Sequence, residues 1–217
     1  MKKIIICAII VITLGIALFT MSYAAQYKYP DLTWITYGSN GRQIINVHFA
    51  AREITQATDI GVMVGYPDGT FKPNEPITRA EFIKMLIGLA TNRTFDFENI
   101  DSEYNTWYGP YVTIAEMQKV IDKNKYTKEQ LDEPITRLET ILMLAKTQIN
   151  MKRIAQNQIG TLGYTDIDDL TQDEKDLILH AAKYDLLEGM KDGTSKLLEP
   201  TKNLTRGEAA AALMRIY

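Results

Sequence analysis

The chain has 217 residues, 46% of them apolar and 24% charged, and a formal net charge of -3. This composition suits one or two ordinary domains or a short repeat array. Its mildly acidic balance excludes general nucleic-acid binding, which needs a basic field.

Residues 1–25 have the layout of a secretory signal peptide. Lys2 and Lys3 form the charged start, residues 4–19 the apolar run, and Ser22-Tyr23-Ala24 the small-residue exit. Cleavage is predicted after Ala24, giving a segment 1–24. An uncleaved anchor is the alternative, since the run approaches the shortest length that spans a bilayer. Cleavage leaves 22 basic against 27 acidic side chains, and no membrane contact is then expected. It also removes Cys7, the only cysteine, so the mature chain has no disulfide and no thiol ligand or nucleophile. A disulfide-free exported chain fits a bacterial envelope.

Residues 26–42 read as an irregular lead-in with Pro30, Gly38 and Gly41. Residues 44–60 read as a weakly periodic helix. Pro67-Asp68-Gly69 then suits a type I turn, and Pro73 and Pro76 hold the following arm extended. Thr78 with Glu81 forms a capping box, so a helix is predicted from there, with Ile77 and Phe82 placed as a hydrophobic staple. Phe82, Met85, Leu86 and Leu89 share one face.

The end of this stretch recurs as Ile135-Thr136-Arg137-Leu138-Glu139 and as Leu204-Thr205-Arg206-Gly207-Glu208. The matching face positions are Thr140, Met143, Leu144 and Thr147, then Ala209, Ala212, Leu213 and Ile216. Further helices are predicted before the second and third copies, over 108–122 and 173–187. The arginines lie 58 and 69 residues apart, which gives a helix-loop-helix unit of about sixty residues. One such unit cannot bury its apolar face alone, so the three are expected to pack together. The fold class expected is all-α, or mainly helical.

These residues resemble the S-layer homology family. The likeness runs from His48-Phe49 through Gly65-Tyr66-Pro67-Asp68-Gly69-Thr70-Phe71 to Ile77-Thr78-Arg79-Ala80-Glu81. A second copy starts at Phe97-Glu98-Asn99-Ile100-Asp101 and has Trp107-Tyr108 at the aromatic position. A third starts at Tyr164-Thr165-Asp166-Ile167-Asp168 and keeps Gly189 and Asp192-Gly193-Thr194. The resemblance implies three repeats, 30–94, 97–155 and 164–217, packed as a pseudo-threefold bundle. It implies grooves that bind a secondary cell-wall polysaccharide, usually pyruvylated, and so anchor the protein non-covalently to a Gram-positive-type wall. The second copy departs from the family: residues 124–130 replace the Gly-Tyr-Pro-Asp-Gly-Thr-Phe loop. In the third, Met190 and Lys191 stand where the family has Tyr and Pro, and Asp173 falls about where the aromatic should be. The alternative is an envelope protein-protein interaction or S-layer assembly protein that uses the fold without binding sugar.

The candidate carbohydrate-binding residues are Arg79, Arg137, Arg206, Tyr66, Asp68, Gly69, Thr70, Trp107, Asp192 and Gly193. The capping threonines and glutamates need no ligand to explain them. The arginines differ, because a cation at the first helical position opposes the helix dipole. Each is either a carboxylate clamp for a ligand or an ion pair between repeats. Asp68-Gly69-Thr70 is first a turn, whose amides and carboxylate could also meet sugar hydroxyls. Trp107, Tyr66 and Phe49 are either core aromatics or platforms for a sugar ring. His48 and His180 lack metal-ligand spacing, and Asp166-Ile167-Asp168-Asp169 lacks the glycine and final glutamate of a calcium loop. Ser39, Ser102 and Ser195 sit in no nucleophile-elbow context, so no enzyme and no cofactor is expected.

Overall fold

Two short uncharged runs, Thr-Trp-Ile-Thr-Tyr and Gln-Ile-Ile-Asn-Val, flank Gly38 and Gly41. Runs so rich in β-branched and aromatic residues favour a pleated pair. They form an antiparallel hairpin of β1 (Thr33–Tyr37) and β2 (Gln43–Val47), in register from Thr33 opposite Val47 to Tyr37 opposite Gln43. The Gly38 N–H donates to the Arg42 carbonyl at 2.8 Å, and Gly41 takes the left-handed φ of 72° that the turn requires. This corrects two expectations. The lead-in is not irregular after Thr33, and the helix expected over 44–60 covers only α1 (Ala51–Asp59). Residues 44–47 belong instead to strand β2.

The structure, a computed structural model, describes residues 27–92, 96–97, 100–156, 162–186, 190–192 and 195–217, with only the backbone of 190–192 and 195. The expected signal segment 1–24, together with Gly189, Gly193 and Thr194, lies outside the described residues. Contacts divide the chain after Pro73 into two compact units.

The first unit holds the hairpin, α1 and the loop that ends at Pro73. The second, Asn74–Tyr217, is mainly helical. Its helices are α2 (Arg79–Ala90), α3 (Gly109–Met117), the single turn α4 (Lys128–Leu131), α5 (Arg137–Lys146), α6 (Gln172–Lys183) and α7 (Arg206–Ile216). One π-helical turn, Thr147–Met151, follows α5. A small antiparallel pair, β3 (Met190–Asp192) and β4 (Ser195–Leu197), precedes α7.

The three predicted capping boxes start α2, α5 and α7, with both reciprocal bonds made in each. Thr127 with Gln130 and Thr171 with Glu174 form two more, which start α4 and α6. The predicted faces are buried in all three motif helices. In α2 burial extends further, to Ile83 and Ile87, as befits a helix covered on several sides. The polar members of the α5 face are satisfied locally: the hydroxyls of Thr140 and Thr147 donate to the carbonyls of Thr136 and Met143, at 2.9 and 2.8 Å. Helix α2 packs against α3 and α7, and α5 against α6.

The arms leading into α2, α5 and α7 are bonded to one another in a closed ring. The Ile77 N–H donates to Leu204 O at 3.1 Å, Leu204 to Ile135 at 2.8 Å, and Ile135 back to Ile77 at 2.9 Å. A second set closes the ring in the opposite direction: the Arg79 N–H donates to Glu133 O, Arg137 to Lys202 and Arg206 to Glu75, at 2.8 to 3.0 Å. The prolines and the capping threonines thus leave each arm extended, and its free amides and carbonyls are used by the other two arms.

Candidate functional site

In the first unit the predicted turn is present. The Gly69 N–H closes it on Tyr66 O at 3.0 Å, and Gly69 takes a φ of 82°. The Thr70 carbonyl accepts from the Tyr66 N–H at 2.8 Å. Asp68 Oδ1 accepts from both the amide and the hydroxyl of Thr70, at 2.9 and 2.6 Å. Those two bonds, with Lys72 beside it, hold the Asp68 carboxyl below its ordinary range. Tyr66 is 37% exposed, and Lys72 Nζ stands 4.2 Å from its ring centre. The loop therefore offers solvent an aromatic ring, a cation and a structured turn. Sequence reading missed Lys72, whose distance along the arm hides its return over the ring. Phe49 is exposed and lies against the His48 ring, so it is not a core aromatic.

The same loop is fixed from an earlier segment. A Cβ at Gly65 would run into the Tyr29 ring and the Thr70 carbonyl, so only glycine fits there. The Gly65 N–H donates to the Tyr29 hydroxyl at 3.1 Å, and the Tyr29 ring lies 5.4 Å from that of Phe71. Asp31 takes the Phe71 and Lys72 amides at 2.7 to 3.1 Å.

In the second unit Arg79 is engaged on two sides. Its Nε donates to Glu139 Oε1 at 2.8 Å, and its Nη1 to the Gln130 carbonyl and to Glu133 Oε2, at 2.9 and 3.2 Å. Its side chain is 13% exposed. Among the described residues Nη2 has no hydrogen-bond partner and is not buried. Glu139 is the hub: Oε1 also accepts from the Tyr126 hydroxyl at 3.0 Å, and Oε2 from the Thr136 amide and hydroxyl. Burial would raise the Glu139 carboxyl, but Arg79 and the Thr136 amide outweigh it and hold it below the ordinary 4.5. Burial and the Glu139 charge together push the Tyr126 hydroxyl up.

Arg137 repeats the arrangement. Its Nε donates to the Leu198 carbonyl at 2.9 Å and its Nη1 to Glu208 Oε1 at 3.1 Å, with a side chain only 2% exposed. Arg206 is buried as well. The ion-pair alternative for the motif arginines is therefore realised for Arg79 and Arg137. Each of these two arginines holds the capping glutamate of the next motif, which is why the dipole penalty is tolerated there. Arg137 and Arg206 offer almost no surface to a ligand.

Trp107 is 57% exposed at the front of α3. Its ring meets Tyr108 edge-on at 5.2 Å, and Lys84 Nζ lies 5.1 Å from it. Trp107 is thus an open platform beside a cation, not a core residue. Asp192 lies in β3, where the structure describes only its backbone.

Residues 44–83 match the S-layer homology domain. Over this stretch the chain is similar to S-layer homology domains. The match takes in the 65–71 loop, Arg79 and the start of α2. Among similar proteins, S-layer protein EA1 of Bacillus anthracis is 29% identical over 168 residues, 75% of this chain and 18% of that protein. Cell surface glycoprotein 1 of Acetivibrio thermocellus is 48% identical over 48 residues, 22% of this chain and 2% of that one. An amylopullulanase of Thermoanaerobacterium thermosulfurigenes is 25% identical over 154 residues, 70% of this chain and 8% of the enzyme. The chain spans less than a fifth of the length of these relatives.

Proposed function

We propose that this S-layer homology chain is a non-catalytic surface module that anchors to the bacterial cell wall by binding an acidic secondary wall polysaccharide, a pyruvylated one in a Gram-positive-type envelope. The observation that carries the reading is the family match over 44–83, which includes the loop and Arg79. Two pairs of exposed aromatic and lysine support it: Tyr66 with Lys72, and Trp107 with Lys84. A ring face takes the apolar side of a sugar, and an ammonium takes its acidic substituent. Asp68, Gly69 and Thr70 would meet hydroxyls from the loop, and Nη2 of Arg79 would meet an anion. Asp192 and Gly193 would do the same in the third copy. Arg137 and Arg206 serve packing in this reading. The closed ring of arm-to-arm bonds, all within the second unit, supports a pseudo-threefold arrangement of the three capped helix starts, one from each of the repeats 30–94, 97–155 and 164–217.

The test is co-sedimentation of residues 25–217 with purified wall sacculi, before and after chemical removal of pyruvate. Binding that falls when pyruvate is removed is expected. Failure to sediment, with retention instead by a defined envelope protein, would contradict the proposal in favour of a protein-interaction role.

A further inference from the structure

The loop 65–72 does not hold its shape by itself, because its last two amides point away from its own turn. Both go to one carboxylate forty residues earlier. Asp31 Oδ1 and Oδ2 accept from the Phe71 N–H at 3.0 and 3.1 Å, and Oδ2 accepts from the Lys72 N–H at 2.7 Å. Lys72 sits in the left-handed region, at φ 56°, which turns its amide toward the same group as its neighbour's. The second unit contains the same device. Asp166 accepts from the Leu198 N–H at 2.8 Å and the Glu199 N–H at 2.7 Å, and Glu199 has φ 54°. Tyr29-Pro30-Asp31-Leu32 and Tyr164-Thr165-Asp166-Ile167 are thus equivalent starts. The match is hidden in the sequence because α6 begins six residues after Asp166, whereas the inserted β1–β2 hairpin delays α1 to twenty residues after Asp31. The copy that lacks the loop has Asn99 at this place, so carboxylate and loop are lost together.

We infer that Asp31 is a positioning residue: its carboxylate sets the conformation in which the 65–72 loop presents Tyr66, Asp68 and Lys72. The function of that conformation rests on the wall-binding reading above. A carboxylate suits the task because it accepts from both amides without offering a donor of its own. An asparagine would turn an NH2 group toward N–H donors.

The test combines amide exchange and sacculi binding on the whole chain. Asp31→Asn should speed exchange at Phe71 and Lys72 by about tenfold, as loss of a charge-assisted bond requires, and leave Leu86 in α2 unchanged. Sacculi binding should weaken about five- to tenfold, the effect of a less preorganised loop. Asp31→Glu, which keeps the charge, should recover part of both. Unchanged exchange at Phe71 and Lys72 overturns the inference, and so does faster exchange with full sacculi binding. If the unsubstituted chain does not bind sacculi, the wall-binding reading fails and the exchange data alone decide the positioning role. If Asp31→Asn does not fold, scalar couplings across the hydrogen bonds decide instead. They should link the Phe71 and Lys72 amide nitrogens of the unsubstituted chain to the Asp31 carboxyl carbon, and their absence overturns the inference.

Discussion

Arg79 and Arg137 occupy the same position of the same motif, yet Arg79 keeps an edge toward solvent and Arg137 has almost none. Both donate to the capping glutamate of the next motif, Glu139 and Glu208. What differs is the second partner. Arg137 is closed off by the Leu198 carbonyl, a buried acceptor. Arg79 meets the Gln130 carbonyl and Glu133, whose side chain is 62% exposed. The motif arginine is therefore first a clasp between helix starts. It becomes available to a ligand only where the neighbouring segment is polar and open.

The largest effect expected from this difference is in stability. Arg137→Ala takes the ion-pair partner from Glu208 and the donor from the buried Leu198 carbonyl, and should cost about 3–5 kcal/mol. Arg79→Ala leaves Glu139 with Tyr126 and Thr136, and should cost about 1–3 kcal/mol. Urea unfolding of the two variants measures both, and equal costs would break the comparison.

A smaller effect is expected in acid. Because the Glu139 carboxyl is held below its ordinary 4.5, the unfolded chain binds that proton more readily. The contribution is complete above pH 4.5 and is lost as pH falls below it. Glu139→Gln should flatten that part of the unfolding-midpoint curve. His180 acts in a separate window. Burial beside Gln148 pushes it below 6.5, so its contribution is lost as pH falls from there.

Local structure was legible in the sequence because capping boxes and helical faces are written within a few residues. Thr78 with Glu81, and Phe82 with Met85, Leu86 and Leu89, all stand where the pattern placed them. The hairpin escapes the sequence pattern because its two uncharged strands interrupt the first copy, and Ile44 and Ile45 can be read into the helix that follows. The arginine partners could not be read because they depend on packing between copies: Glu139 lies 60 residues from Arg79, and Glu208 lies 71 from Arg137. The exposure of Trp107 also required the fold, since an aromatic at a helix start fits core and surface alike.

A double-mutant cycle between Arg79→Ala and Glu139→Gln tests most directly that the recurring motif clasps one helix start to the next. A coupling of about 1–3 kcal/mol in unfolding free energy is expected. A coupling indistinguishable from zero would contradict it and return Arg79 to a role in ligand binding alone.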